Sequence, residues 1–331
     1  MPENDPLSRP APRDVLVKVK NLSVGFARGE ILAVKGIDFE LLPGEVVGLV
    51  GESGSGKSMT ALSLMGLLPH GATQGSGSIF FKGRDLAGLG KKERRELCGD
   101  HMGMVFQEPL TALNPVLTIG EQVSEIFRLR RGMRKAQANK AALALLGQVG
   151  LPNPAEAAKS YPHRFSGGMR QRVVIAMALA LDPELVIADE PTTALDPTIA
   201  AQIVWLLRDM AERRQTGVLF ITHNLRILAG LAQRVLVMYA GILVEQTMGD
   251  FSDPLHPYTM GLLKALPPNP SEGQAGKLTP IPGQPPSPSD RFPGCPFQPR
   301  CPETIDLCQN ALPPMAQVSP GRLVRCHRRP R

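Results

Sequence analysis

The sequence predicts an α/β fold: a largely parallel sheet covered on both faces, with an inserted helical subdomain and a small cysteine-rich C-terminal extension. Three observations lead there. Continuous apolar runs such as "EVVGLV", "ELVIADEP" and "GVLFITHN" suit strands that are buried on both faces. The stretch "EVVGLVGESGSGKSMTALSLMGLL" passes from such a strand through a glycine-rich turn into an apolar-faced helix, which is half of a βαβ unit. Finally, four of the five cysteines fall in the last 37 residues, in a proline-rich context unlike the rest of the chain.

Taken in order, residues 1–13 are polar and proline-bearing, with neither the charged nor the apolar region of a signal peptide, and read as a disordered lead-in. No apolar run reaches the ~18 residues a membrane-spanning helix needs, which points to a cytosolic chain. Residues 14–250 form the main domain. "VLVKVKNLSV" alternates and predicts a strand, followed by a second amphipathic stretch at "AVKGIDFEL". Lys57 and Asp189 are 132 residues apart, far more than the ~30 of one βαβ unit. Residues from about 90 to 165 therefore include an inserted helical subdomain, with "TIGEQVSEIFRLRRGMRKAQANKAALALLGQVG" as its helix-rich part. "RVLVMYAGILVEQ" reads as strand, turn, strand. From 251 to 331 the composition shifts to a proline-rich linker and the cysteine segment. The net charge of +7 is concentrated here, because residues 291–331 hold seven arginines against two acids. The excess belongs to the tail and says little about the main domain.

"GESGSGKS" (Gly51, Glu52, Ser53, Gly54, Ser55, Gly56, Lys57, Ser58) matches G-x-x-x-x-G-K-[ST] in full. Its glycines let backbone N–H groups turn towards phosphate oxygens, and the following helix aims its positive end at them. Lys57 supplies a point charge to the β- and γ-phosphates, and the Ser58 hydroxyl is a Mg²⁺ ligand. This pattern predicts binding of a nucleoside triphosphate and Mg²⁺ on a P-loop NTPase (RecA-like) core. "LVIADE" ends a strand in two carboxylates. Asp189 is expected to hold Mg²⁺ and Glu190 to orient or deprotonate the attacking water.

"FSGGMRQR" narrows the reading. With it the chain resembles an ATP-binding-cassette ATPase, a family that binds ATP between two nucleotide domains facing head to tail. The resemblance implies that Ser166, Gly167 and Gly168, at a helix N-terminus 23 residues before Asp189, reach the γ-phosphate held by a partner's Lys57. It implies further roles in chain order. Phe26 stacks on adenine, and Gln107 of "VFQEP" contacts Mg²⁺ or water. Asp196 closes the "TALD" loop, and His223 of "ITHN" contacts the γ-phosphate. Phe165 and Met169 depart from the "LSGGQ" form of the signature, so a contact through that glutamine's amide is not carried over.

"DPLHPYTMGLLKALP", "IPGQPPSP" and "GCPFQPRCP" resemble the C-terminal extension of peptide-importer ATPases, the oligopeptide/dipeptide branch that also includes nickel importers. The resemblance implies a motor subunit that hydrolyses ATP to drive solute uptake across the bacterial inner membrane. It would sit peripherally on the cytoplasmic face, beneath two membrane-spanning permease subunits and beside a second, identical or similar, ATPase. Solute would come from an extracytoplasmic binding protein. Di- or oligopeptides, nickel and other small solutes all remain open as cargo. The alternative of a different class is a soluble cassette ATPase acting on nucleic acid or ribosomes. The 132 residues between Lys57 and Asp189 leave no room for a long coiled coil, and there is one phosphate loop. No nucleic-acid partner is expected.

Cys295, Cys301, Cys308 and Cys326 are spaced C-x5-C-x6-C-x17-C, without the tight C-x2-C of zinc fingers. Four thiolates in a short segment fit a [4Fe–4S] cluster or a structural Zn²⁺; two disulfides or free thiols are the bland alternative. Members of the resembled branch carry such clusters in this extension. Arg300, Arg322 and Arg325 are expected to offset a cluster's charge. Cys98 reads as an ordinary buried cysteine.

Overall fold

In a computed structural model, residues 15–108, 112–193, 195–249, 251–266 and 279–329 are described. The expected lead-in over 1–13 and part of the proline-rich linker, 267–278, lie outside them. The chain begins β1 (Val17–Phe26), β2 (Ile31–Leu41), β3 (Val46–Val50), α1 (Lys57–Met65), β4 (Ala72–Phe81), β5 (Arg84–Asp85), α2 (Lys91–His101) and β6 (Met102–Val105). It continues through α3 (Ile119–Arg131), α4 (Lys135–Gln148), the short α5 (Pro154–Ala157), α6 (Gly167–Leu179), β7 (Leu185–Asp189), α7 (Pro197–Arg214) and β8 (Gly217–Thr222). Then come the short α8 (Leu225–Leu228), β9 (Arg234–Tyr239), β10 (Ile242–Met248), α9 (Pro257–Lys264), the short α10 (Leu307–Asn310), β11 (Ala316–Ser319) and β12 (Arg322–Val324).

Two sheets form. One is antiparallel, in the order β2-β1-β4-β5; the other is the core sheet, β11-β12-β10-β9-β3-β8-β7-β6. Its five strands from β9 to the edge strand β6 are parallel. Alternate residues of these strands serve two separate cores. Val46, Val50, Val186, Ala188, Val218 and Phe220 face one, with helices α3, α4, α6 and α7. Val47, Leu49, Leu185, Ile187, Leu219 and Ile221 face the other, with α1, α2 and the antiparallel sheet. Strands buried on both sides need apolar residues at every position, and that is why they read as unbroken runs.

Local chemistry sets the helices of the middle region. Thr118 starts α3 with a capping box: its hydroxyl accepts the Glu121 N–H, and the Glu121 carboxylate accepts the Thr118 N–H. Ile119, Val123 and Phe127 fall on one buried stripe at helical spacing. Arg128, Arg130 and Arg131 lie near the negative end, and Gly132 stops the helix at φ +63°. Leu97 and Cys98 of α2, by contrast, pack beneath the antiparallel sheet.

The tail is integral to the main domain rather than a separate lobe. Strand β12 pairs antiparallel with β10, placing Val324 opposite Glu245, so the hairpin β11-β12 extends the core sheet. Phe297 is fully buried in the larger core, edge-on to Tyr239 with ring centroids 5.2 Å apart. Burying one such side chain contributes ~1.5–3 kcal/mol. The few apolar residues of this segment are therefore spent on the neighbouring domain. At the junction, the fully buried Glu245 carboxylate accepts N–H bonds from Leu255 and His256, each 2.8 Å. His256 caps α9, its Nδ1 accepting the Tyr258 N–H at 3.0 Å, and Pro257 follows at the first helical position.

Burial, with the Arg329 charge adding to it, pushes the His256 pKa down from 6.5 to about 3. The folded state thus keeps this imidazole neutral, while the unfolded chain binds a proton below its ordinary pKa. Stability is full above pH 6.5, falls as the pH drops towards 3, and at pH 5 is lower by about 2 kcal/mol. Burial raises the Glu245 pKa, which tilts the dependence the other way but is common to a His256→Asn variant that keeps a capping acceptor. Urea unfolding at neutral and mildly acidic pH should show a pH loss in the native chain that is largely absent from His256→Asn.

Candidate active site

Strand β3 ends at Val50, and the chain then wraps into a loop that leads directly to α1. Gly54 and Gly56 take φ of +78° and +107°, the left-handed region that side chains disfavour. At Gly56 there is also no space, since a Cβ would lie 2.4 Å from the Ala33 carbonyl oxygen. Lys57, almost fully buried, bends back over the loop, its Nζ donating to the carbonyls of Gly51 (2.8 Å) and Glu52 (2.9 Å). Burial lowers its pKa, and Glu190, Asp189 and Glu52 act in the opposite sense. The result is a backbone cradle with an ammonium at its floor, suited to an anion.

Asp189 ends β7, two strands away, nearly buried and hydrogen-bonded to the Ser58 hydroxyl. Burial raises its pKa; the Ser58 bond opposes this and the neighbouring Glu190 adds to it. Its Oδ1 is buried with no hydrogen-bond partner among the described residues. An orphaned carboxylate oxygen beside a serine hydroxyl fits the ligand set of Mg²⁺, a cation that takes carboxylate oxygens while keeping several waters.

Glu190 is the hub. Its backbone stands at φ +48° with its N–H donated to Ile221 at 2.9 Å, a conformation uncommon outside glycine and concentrated at functional sites. Gln107 Nε2 (3.2 Å) and Thr193 Oγ1 (2.8 Å) donate to one carboxylate oxygen, while His223 Nδ1 lies 3.2 Å from the other. The Glu190 side chain is 13% exposed and that of His223 58%, so the carboxylate is sheltered while the imidazole is open to a ligand. Thr193 was not singled out by the motifs; it is the second threonine of "EPTTALD", and its hydroxyl fixes Glu190.

The remaining expected residues lie at other element ends. Phe26 closes β1, half-buried. The Ser166 hydroxyl caps α6, accepting the Met169 N–H at 3.3 Å, and Asp196 caps α7 through Ile199 at 3.0 Å. Gly168 packs against Ile199, whose Cγ2 would be 2.6 Å from an added Cβ. Ser166, Gly167, Gly168 and Asp196 thus form a second corner, at the adjoining starts of α6 and α7.

The tail reaches the loop as well. The Tyr258 hydroxyl accepts the Glu52 N–H at 2.8 Å, and the Arg300 guanidinium grips the Glu52 carboxylate at 2.7 and 3.1 Å. Arg300, expected beside a cluster, is thus paired with the phosphate loop, whereas Arg325 keeps an attraction to Cys295. Arg322 pairs with Asp253, and Arg325 donates to the carbonyls of Leu243 and Pro313. A guanidinium fork matches a carboxylate geometrically, and a carboxylate was already in place for two of the three.

Cys295, Cys301, Cys308 and Cys326 line one cavity of about 10 Å³. Backbone N–H groups of Phe297, Glu303 and Arg328 lie near the sulfurs of Cys295, Cys301 and Cys326 and favour their thiolate forms, against burial. Burial pushes the Cys295 thiol up to about 11 and also raises Cys301 and Cys326. Among the described residues no group of three or more His, Cys, Asp or Glu is arranged to hold a single metal ion. The cysteines are gathered, but a metal centre is not itself shown. The buried Cys98 is free.

Comparison with known proteins agrees with this geometry. Residues 34–193 match the ABC transporter family, and residues 248–308 match the oligopeptide/dipeptide transporter C-terminal region. The chain is 49% identical to the oligopeptide transport ATP-binding protein OppD of Salmonella typhimurium, over 96% of this chain and 95% of the relative. It is 47% identical to the dipeptide transport ATP-binding protein DppD of Bacillus subtilis, over 94% of each. A dimeric ATP-binding cassette in a post-hydrolysis state with ADP and Pi superposes with a TM-score of 0.64 at 31% identity, covering 70% of this chain and 98% of that one. CbiO1 from Clostridium perfringens, part of an ABC transporter complex, gives 0.63 at 28% identity, covering 71% and 89%. Gly56→Ala is expected to abolish nucleotide binding, because the new methyl collides with the Ala33 carbonyl while the helices elsewhere stay intact. Equilibrium binding of a fluorescent ATP analogue, alongside circular dichroism, checks both halves.

Proposed function

The chain belongs to the ABC transporter family, in its oligopeptide/dipeptide branch, and from that premise we propose that it is the ATP-hydrolysing motor subunit of an importer of di- and oligopeptides. The observation that carries this reading is the gathering of Lys57, Asp189, Glu190 and His223 around the ends of neighbouring parallel strands. In it, the loop from Gly51 to Ser58 holds the triphosphate through backbone N–H groups and the Lys57 ammonium. Ser58, Gln107 and Asp189 hold Mg²⁺, which when bound offsets phosphate charge. Glu190 takes the proton of the attacking water, with Thr193 and Gln107 fixing its carboxylate. His223 keeps its exposed ring for the γ-phosphate, and Phe26 stacks on the base.

Ser166, Gly167, Gly168 and Asp196 serve the nucleotide of a second cassette subunit. The support is their place at the adjoining starts of α6 and α7, where helix N-termini present backbone N–H groups to an anion. ATP then joins two chains, and hydrolysis releases them, a ligand-driven population shift. Among the described residues no helix is long and apolar enough to cross a membrane. By its likeness to ATP-binding subunits of peptide importers, the transport path belongs to two permease subunits, fed by an extracytoplasmic binding protein, with this chain peripheral on the cytoplasmic side. The helical region from about 90 to 165 transmits motion to them, and the segment from 251 to 331 is the branch-specific extension.

For the extension we propose a [4Fe–4S] cluster on Cys295, Cys301, Cys308 and Cys326. Support comes from four thiols facing one cavity, three of them near backbone N–H groups that favour thiolates.

Glu190→Gln should bind ATP as the native chain does while losing about 100-fold or more in turnover; near-normal phosphate release would remove Glu190 from its role. Anaerobic purification followed by iron, sulfide and zinc analysis should return about four iron and four sulfide per chain. One zinc would replace the cluster with a structural ion.

A further inference from the structure

The phosphate loop carries one carboxylate, Glu52, at a position where a nucleotide would bring several negative charges. Left bare, that carboxylate opposes the ligand. It is not bare. Arg300 Nη1 and Nη2 donate to its two oxygens at 2.7 and 3.1 Å, and the arginine side chain is only 5% exposed. The guanidinium is itself fixed, donating to the Pro282 carbonyl (2.9 Å) and the Tyr239 hydroxyl (3.2 Å). From the same side, the Tyr258 hydroxyl accepts the Glu52 N–H at 2.8 Å. The Glu52 carbonyl meanwhile accepts Lys57 Nζ at 2.9 Å. One loop residue is thus held through its N–H, carbonyl and carboxylate at once, and two of the three partners come from 206 and 248 residues downstream.

We propose that Arg300 and Tyr258 are positioning residues of the phosphate loop, neutralising and aiming Glu52 so that nucleotide affinity depends on the C-terminal extension. This rests on the reading of the loop as an ATP site. Arg300 touches no phosphate in it; it acts through Glu52. An alternative is that the ion pair merely staples the tail to the domain. The two differ in sign. A staple lost from either end weakens folding and leaves affinity alone. A neutralising pair, broken at Arg300, leaves a half-buried, unpaired carboxylate on the phosphate loop, and removing that carboxylate too restores binding.

The experiment is equilibrium binding of Mg²⁺ with N-methylanthraniloyl-ATP to the full chain and three variants, with a melting curve for each. Arg300→Gln is expected to weaken binding about tenfold, since it exposes one uncompensated charge near the ligand. Glu52→Gln/Arg300→Gln is expected to return to within about threefold of the native value, because the charge is gone from both sides. Tyr258→Phe loses a single oxygen, keeps its buried ring, and should weaken binding about threefold. It also keeps the proposal open to test if Arg300→Gln fails to fold. Native-like affinity in both Arg300→Gln and Tyr258→Phe, or a double variant no better than Arg300→Gln, overturns the proposal. A native chain that binds no nucleotide overturns the ATP reading itself, and this inference with it.

Discussion

The site depends on the register of three parallel strands. In β3, β8 and β7, Val50 stands beside Thr222, and Ile221 beside Asp189. The next residues along each strand direction are Gly51, His223 and Glu190, so the phosphate loop, the imidazole and the carboxylate arrive at one edge of the sheet together. Register here is strongly specified, because each of these strands buries both faces. A slip of one residue would exchange the contents of the two cores, for example Phe220 with Leu219. Carboxyl ends of parallel strands are where open α/β sheets bind ligands, and packing of each strand into two cores keeps those ends level.

The chemistry is assembled by charge as much as by shape. Lys57, Asp189, Glu190 and Glu52 are close enough for each carboxylate to influence the lysine. Three acids against one buried ammonium would be a poor receptor for a polyanion. Each acid, however, is committed. Asp189 has the Ser58 hydroxyl and an orphaned oxygen fit for a cation. Glu190 has Gln107, Thr193 and His223, and Glu52 has Arg300. Burial makes these commitments necessary, since an unpaired charge in a low-dielectric site is costly.

Much of this was legible in the chain. The doubly buried strands appear as unbroken apolar runs, and Lys57, Asp189, Glu190 and His223 were named from motifs whose spacing follows from strand–turn–helix geometry. What could not be read depends on distant partners. Nothing periodic announces that β12 will pair with β10, because a strand of three residues has no pattern to display. The "FKG" and "GSGS" regions around β4 alternate weakly and contain glycines, so the antiparallel sheet was only half seen. Thr193 looked like part of a turn, and its value comes from Glu190 sitting at positive φ beside it. The partner of Arg300 was out of reach of local reading, because four neighbouring cysteines suggest a counter-charge whereas the paired carboxylate lies 248 residues upstream.

The long-range pairing of Arg300 has a structural consequence. Arg300 ends the short turn Gln298–Arg300, which lies between Cys295 and Cys301. The turn is tied by Gln298 N–H to the Cys295 carbonyl (3.0 Å) and Cys301 N–H to the Gln298 carbonyl (3.2 Å), while Cys295 N–H donates to Cys308 at 2.8 Å. The thiol-lined loop and the guanidinium fork are therefore one rigid piece. Phe297, at its centre, is locked among Tyr239, Tyr258 and His256. The packing of this loop sets where Arg300 stands, and Arg300 sets the carboxylate of the phosphate loop. The extension is thus continuous with the nucleotide site through packed rings and a buried ion pair. Such a chain of contacts does not deform gradually, because close-packed side chains have few alternative arrangements.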